Sequence, residues 1–326
     1  MFHTRVTEMF GVDHPIVQGG LQWVANADLV AAVANAGAMG FVTALSFDSP
    51  ERLRQEIQRC GDLTDKPFGV NITLLPTMRP PDYAGMARVC IEEGIRFVET
   101  AGGNPVQFMP AFKEADVQVV HKCTSVRHAL KAQDLGCAAV SIDGFECAGH
   151  PGEDDVTSLV LIPVAVDALS VPVIASGGFG DGRGLVAALA LGAEAINMGT
   201  RFVATREAPV HDKVKQALVE RDERGTRLAL RSLRNTTRVL HNEVVDRILE
   251  IEGRPGPTDF SELAPLVSGA SAREEVWEKG NVDGGIFTAG QVMGLIRDVP
   301  TVAELVRRIV AEAETIARDR LPSLLR

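Results

Sequence analysis

The chain has 326 residues, 45% of them hydrophobic and 23% charged, and 33 Lys and Arg against 43 Asp and Glu give a formal net charge of −10. That composition excludes disorder as the main state, and the acidic balance argues against nucleic acid or an anionic membrane as a general ligand. Five cysteines, Cys60, Cys90, Cys123, Cys137 and Cys147, form no CxxC pair, which points away from a disulfide framework or a zinc site and towards free thiols in a reducing compartment.

The first residues, Met1-Phe2-His3-Thr4-Arg5, run into Glu8 and Asp13 without a signal-peptide pattern. The longest apolar runs, such as Gly184 to Ala193, are too short to span a bilayer. A cytoplasmic location is the expectation. From Pro15 onward one plan repeats: a short apolar run, a glycine or polar residue, then an Ala/Leu-rich helical stretch. The runs Pro15–Gln18, Met39–Thr43, Phe68–Ile72, Phe97–Thr100, Val117–Val120, Ala139–Ile142, Val173–Ala175 and Ala195–Met198 are predicted strands. Helical stretches such as Asp28–Ala36, Pro50–Cys60, Tyr83–Glu93 and Thr157–Leu169 lie between them. Strand starts recur about every 26 residues, the size of a βα unit with its crossover. Continuous apolar strands fit a parallel sheet buried on both faces. Eight of them favour an α/β fold of the (β/α)8 TIM barrel type, with a doubly wound sheet as the alternative, because periodicity does not report closure.

The plan stops near residue 205. Residues 213–252 are charged and helical in pattern, Gly253-Arg254-Pro255-Gly256-Pro257 is a breaker cluster, and Thr301–Arg320 is an amphipathic helix with a capping-box start. The expected organisation is a barrel over 1–212, completed by a C-terminal helix at 301–326, and a smaller, mainly helical cap or substrate domain over 213–300.

Barrel enzymes work at the C-terminal ends of their strands. Those ends here supply Gly19, Gly20, Gln22, Asn71, Thr73, Thr100, Lys122, Asp143, Ser176, Gly177, Gly178, Gly199 and Thr200. The loops Ser176–Gly184 and Asn197–Phe202 follow strands seven and eight, where glycine-rich backbone and a helix N-terminus bind phosphate in many barrels; as simple turns they would only close the barrel. Lys122 is placed to pair with a phosphate, form a Schiff base or lie against an electron-rich ring, unless it is a surface lysine. His150, in the glycine-rich segment Asp143–Asp154, reads as a general base or as a loop histidine held by its own turn. Asp143 could bind hydroxyls or cap the loop, and Glu153 and Asp154 read as structural acids at a helix start. His121, Cys123 and His128 lack metal-ligand spacing, so no metal is expected. Trp23, Met78 and Phe287 are candidate apolar lining residues, and the proline-stiffened Thr73–Tyr83 segment, with Pro76 and Met78, is a candidate gate.

Several blocks together resemble the nitronate monooxygenase (2-nitropropane dioxygenase) family. They are Gln18–Trp23, Ala32–Gly37, Gly69–Pro76, His121–Thr124, Asp143–Asp154, Ser176–Gly184 and Asn197–Arg201. The likeness is strongest to a bacterial subgroup that includes NADH:quinone reductases, which carry glutamine where this chain has Met78. The resemblance implies an FMN-dependent oxidoreductase that oxidises alkyl nitronates with O2 to a carbonyl compound and nitrite, or alternatively an NAD(P)H:quinone reductase with ping-pong kinetics. It implies FMN contacts at Gly20, Leu21, Gln22, Thr73, Lys122, Asp143, Ala148, Gly149, Ser176, Gly177, Gly178, Gly199 and Thr200, and a catalytic or substrate-orienting role for His150. NADH or NADPH is the implied donor, the substrate is a small molecule, and a homodimer is compatible with the sequence. A phosphosugar aldolase using Lys122 is the rival from another enzyme class; an FMN-dependent enoyl reductase is a rival on the same barrel.

Overall fold

Along Met39–Thr43 and Val173–Ser176 every residue is buried, as a strand covered on both faces requires. In the computed structural model, which describes residues 2–74 and 81–325, eight such strands close on themselves. They are β1 Ile16–Gln18, β2 Met39–Thr43, β3 Gly69–Leu74, β4 Phe97–Gly102, β5 Gln118–Cys123, β6 Ala139–Asp143, β7 Val173–Ser176 and β8 Ala195–Met198. Each pairs in parallel with the next, and β8 returns to β1 with Ile16 opposite Ile196 and Gln18 opposite Met198. Closure decides between the two folds that periodicity left open: the chain is a (β/α)8 barrel.

Five strands, β3 to β7, run beyond their expected ends. β5 continues through His121 and Lys122 to Cys123, so Lys122 is a strand residue and not the start of a loop. The polar pair is tolerated because each member has a partner: His121 Nδ1 is hydrogen-bonded to Thr100 Oγ1 at 2.8 Å, and Lys122 meets two carboxylates.

Helix α1, Arg5–Phe10, was not anticipated. Its Thr4 capping box starts it, and Phe10 packs edge-on against Phe97 and Phe41 with ring centroids 5.0 and 6.0 Å apart. With Val6 it joins a cluster that includes Val17, Met39, Val120 and Ile174 and fills the lower barrel. The helices following the strands pack outside in a larger core. They include α2 Ala27–Asn35, α3 Pro50–Leu63, α4 Tyr83–Glu92, α5 Met109–Glu114, α6 Val126–Asp134, α7 Ser158–Ala168 and α8 Gly182–Ala190. The C-terminal helix Val302–Thr315, capped by Thr301, lies against α8 and α2. Gly182 permits that approach, since a Cβ there would lie 2.5 Å from the Ala313 nitrogen.

Between barrel and C-terminal helix the chain is not only helical. An antiparallel ribbon, β9 Thr226–Ala229 with β10 Thr237–Leu240, forms where little strand signal was expected. Its Thr and Arg residues are short of apolar alternation; the ribbon is held by packing on Glu243–Glu252 in a small separate core of Ala229, Val239, Val245, Ile248 and Leu263. Among the described residues no helix is long and apolar enough to cross a membrane.

Candidate functional site

The barrel's C-terminal mouth opens into a cavity of about 600 Å³. Every residue of the flavin set implied by the resemblance lines it, as do His150, Gly19 and Asn71. β1, β3, β5, β6, β7 and β8 thus deliver their ends to one space, as parallel strands of matched register must.

One side of the cavity is built from backbone. Gly177 and Gly178 adopt φ of 92° and 86°, where only glycine is unstrained. Among the described residues the N–H groups of Gly178, Gly199 and Thr200 have no acceptor. Converging free amides of this kind make a nest for an anion. Of the two helix starts expected here, the one after β8 provides the free Gly199 and Thr200 amides, and the start of α8 is covered by side chains. Asp181 accepts there from the Gly184 N–H at 3.0 Å, and Glu312 accepts from the Gly182 N–H at 2.8 Å. The helix after β8, Thr200–Val203, is a single turn.

The other side is charged. Lys122 Nζ lies 3.7 Å from Glu99 Oε1 and 3.8 Å from Asp143 Oδ1. Glu99 is 1% exposed and sits one layer below the cavity, where its Oε2 accepts from the Gly20 N–H at 2.8 Å and Asn71 Nδ2 at 3.3 Å. Burial, with Asp143 adding, pushes the Glu99 carboxyl above the usual range against the pull of Lys122 and the Gly20 N–H. Burial alone would lower the Lys122 pKa, but Asp143 and Glu99 outweigh it and hold the ammonium charged. A Schiff-base lysine must lose its proton near neutrality; this one is arranged to keep it.

Glu99 was missed by reading strand ends, which picked its neighbour Thr100. Successive strand residues face opposite ways. Glu99 faces Lys122, while Thr100 bonds His121 and does not line the cavity. The available signal was one carboxylate inside the apolar run Phe97–Thr100.

His150 stands exposed at the rim. The surrounding loops still displace enough water to hold its pKa below the ordinary value, opposed by a hydrogen bond with Asn235 and by the charge of Glu153. Its loop is clasped by the ribbon. Gly149 and Arg238 exchange backbone hydrogen bonds of 3.1 and 2.6 Å, and the Arg238 guanidinium donates to the Phe145 carbonyl at 2.8 Å while lying 4.5 Å over the Phe145 ring. Glu153 was expected at a helix start but accepts from Thr236 of the ribbon loop. The α7 start is instead served by Glu146, which accepts from the Ser158 N–H at 2.9 Å.

Two candidate lining residues lie elsewhere. Trp23, at φ 63°, borders a separate cavity of about 310 Å³ with Trp277 and Arg273. Phe287 is 3% exposed and packs on Trp277 with centroids 5.3 Å apart, because the extended backbone turns its side chain inward and presents Thr288 to the cavity instead. Pro76 and Met78 of the candidate gate lie outside the described residues. Cys123 and Cys147 border the cavity, but burial pushes both thiols up, so neither is a thiolate nucleophile at neutral pH.

Comparison with known proteins places this geometry. The nitronate monooxygenase family model matches residues 3–312, and that family is generally flavin-dependent. A relative from Rhodococcus jostii, (3aS,4S,5R,7aS)-5-hydroxy-7a-methyl-1-oxo-octahydro-1H-indene-4-carboxyl-CoA dehydrogenase, is 33% identical over 95% of both chains. Among solved structures, FabK from Thermotoga maritima superposes with a TM-score of 0.90 at 34% identity, covering 99% of this chain and 100% of that one. Nitroalkane oxidase from Streptomyces ansochromogenes superposes with a TM-score of 0.82 at 26% identity, covering 97% and 99%. The (β/α)8 barrel, the matched length and these relatives together make this chain an oxidoreductase of the nitronate monooxygenase family.

Proposed function

We propose that this protein is an FMN-dependent oxidoreductase that oxidises alkyl nitronates with O2 to a carbonyl compound and nitrite. What carries the reading is one cavity that joins an anion nest of free amides to a half-buried, charged lysine and a rim histidine. The residues present suit the cofactor. The Gly177–Gly178 and Gly199–Thr200 backbone would hold its phosphate, and the Lys122 ammonium would face an electron-rich ring. FMN, when bound, supplies the electron transfer that no side chain here can perform.

The chain supplies position and field. The fixed ammonium of Lys122 stabilises negative charge arriving above it, and needs no reorganisation to do so because Glu99 and Asp143 already hold it in place. A nitronate is already a carbanion equivalent, so His150 would orient its oxygens by hydrogen bonding more than remove a proton. The lowered His150 pKa keeps the ring neutral near pH 7, able to donate from one nitrogen and accept at the other.

A second reading has its own support. The 33% identity to a carboxyl-CoA dehydrogenase exceeds the 26% identity to nitroalkane oxidase, and the cavity extends sideways past Asn104 and Thr124 to Lys131 on α6, room for more than a nitroalkane. On that reading the substrate is an acyl-CoA thioester.

An anaerobic absorbance titration of the FMN-loaded protein separates the readings. Bleaching by propyl-2-nitronate, with nitrite formed once air is admitted, is the expected result. Bleaching only by NADH or NADPH, reversed by benzoquinone, would mean a quinone reductase; bleaching only by a CoA thioester would mean a dehydrogenase. Protein that takes up no FMN would sink all three.

A further inference from the structure

Glu99 is a carboxylate where a barrel interior has least use for one. Only one of its oxygens is satisfied: Oε2 takes the Gly20 and Asn71 donors, while buried Oε1 has no hydrogen-bond partner among the described residues and faces Lys122 Nζ at 3.7 Å. Asp143 repeats the pattern from β6, with buried Oδ1 also unpartnered and 3.8 Å from the same ammonium. One cation between two carboxylates leaves a negative charge in excess when both are ionised. With that excess, further negative charge arriving nearby favours a proton on one of them.

Among the described residues, the charged groups acting on Glu99 are Lys122 from β5 and Asp143 from β6. β3 and β8 present the neutral Asn71 and Asn197, and the turn after β1 presents the Gly20 N–H. The cluster is also reached from one direction. Lys122 and Asp143 have side chains 19% and 14% exposed and line the cavity, whereas Glu99 is sealed behind the turn after β1, where a Cβ on Gly19 would lie 3.0 Å from Oε1.

We propose that Glu99 is a positioning residue that acts through Lys122 and holds a proton in step with electron arrival at the barrel mouth. When two electrons enter the cofactor, one solvent proton forms an O–H bond at the Glu99 carboxylate; when the electrons leave, that bond breaks and the proton returns to solvent. The electron pair comes from a two-electron reductant, NAD(P)H, and leaves to the acceptor, O2 or a quinone. Lys122 stays charged throughout, so the change in protonation falls on the carboxylate. The net effect is that negative charge reaching the mouth is matched by neutralisation of negative charge one layer below.

This inference rests on the FMN reading, and the test separates the two. The midpoint potential of bound FMN is measured by spectroelectrochemistry across neutral and mildly alkaline pH, in the wild-type protein and in Glu99→Gln. Wild type is expected to fall more steeply with pH over part of that range. The extra slope for one proton per two electrons is about 30 mV per pH unit, a tenfold change in the two-electron equilibrium. Parallel lines would overturn the proposal while leaving the cofactor assignment standing; failure to take up FMN would overturn both. An infrared difference spectrum of the wild type guards against a variant that does not fold. Reduction should add a protonated-carboxyl band. No band would overturn the proposal, and so would a band that survives in Glu99→Gln but disappears in Asp143→Asn.

Discussion

Lys122 stands between two carboxylates, and removing its charge would strand both. Lys122→Met should cost on the order of 3–5 kcal/mol, the usual result of breaking a buried ion pair from one side. The sign of the pH effect follows from Glu99. Its folded pKa is raised, so its favourable contribution is present at low pH and lost as pH rises through that value. Urea midpoints for Lys122→Met should therefore fall further behind the wild type as pH increases; an equal gap at every pH would contradict the arrangement. His150 makes a different claim. It lines the cavity rim without any part in the core, so His150→Ala should leave folding and FMN content unchanged and lower turnover on the order of 100-fold. Steady-state rates with a flavin-content check would show this, and unchanged turnover would remove His150 from the site. Glycine carries the third claim at this scale. At φ 86°, Gly178→Val strains the backbone by about 1–3 kcal/mol and places a side chain beside the amide nest. FMN affinity, followed by fluorescence on titration, should drop at least tenfold.

At the scale of elements, the ribbon β9–β10 matters because it is stitched to the loop that carries His150. Arg238 supplies a backbone pair with Gly149 and a guanidinium contact to Phe145, and Glu153 ties the same loop to Thr236. Arg238→Ala should speed hydrogen exchange at residues 145–150 and 237–240 while the barrel strands keep their protection. Arg238→Lys should not restore it, because a lysine cannot provide the planar donor pair that reaches the Phe145 carbonyl through both Nε and Nη2. This contact pattern was not legible beforehand. The ribbon's Thr-Arg-Leu-Ala and Thr-Arg-Val-Leu segments carry weak strand patterning, and their pairing depends on a helix that follows in sequence. The C-terminal helix was legible, because Thr301 and Glu304 mark its start and its apolar face repeats at Val302, Leu305, Val306 and Ile309.

For the molecule as a whole, the buried histidine His121 sets an acid limit. Burial lowers its pKa to about 4 from an ordinary 6.5. A folded pKa below the unfolded value means that the unfolded chain binds the proton first, so stability is lost as pH falls from about 6.5 towards 4, on the order of 3 kcal/mol in all. His121→Gln, which keeps a hydrogen-bonding group beside Thr100, should flatten that part of the stability curve. Thermal melts across the acid range would test it.

The sequence by itself determined the repeating βα units, the glycine loops after strands seven and eight, Lys122, Asp143 and His150, and the family. These are local: apolar runs of strand length, glycines where backbone must come close, and chemistry-bearing residues at strand ends. Only the tertiary structure decided that the sheet closes, that α1 fills the barrel's lower end, and that Glu99 rather than Thr100 faces Lys122. It also turned Trp23 and Phe287 away from the main cavity. Closure, side-chain facing and charge clusters come from pairing and packing between residues far apart in the chain. β8 must return to β1, and Glu99, Lys122 and Asp143 meet only because β4, β5 and β6 lie side by side in register.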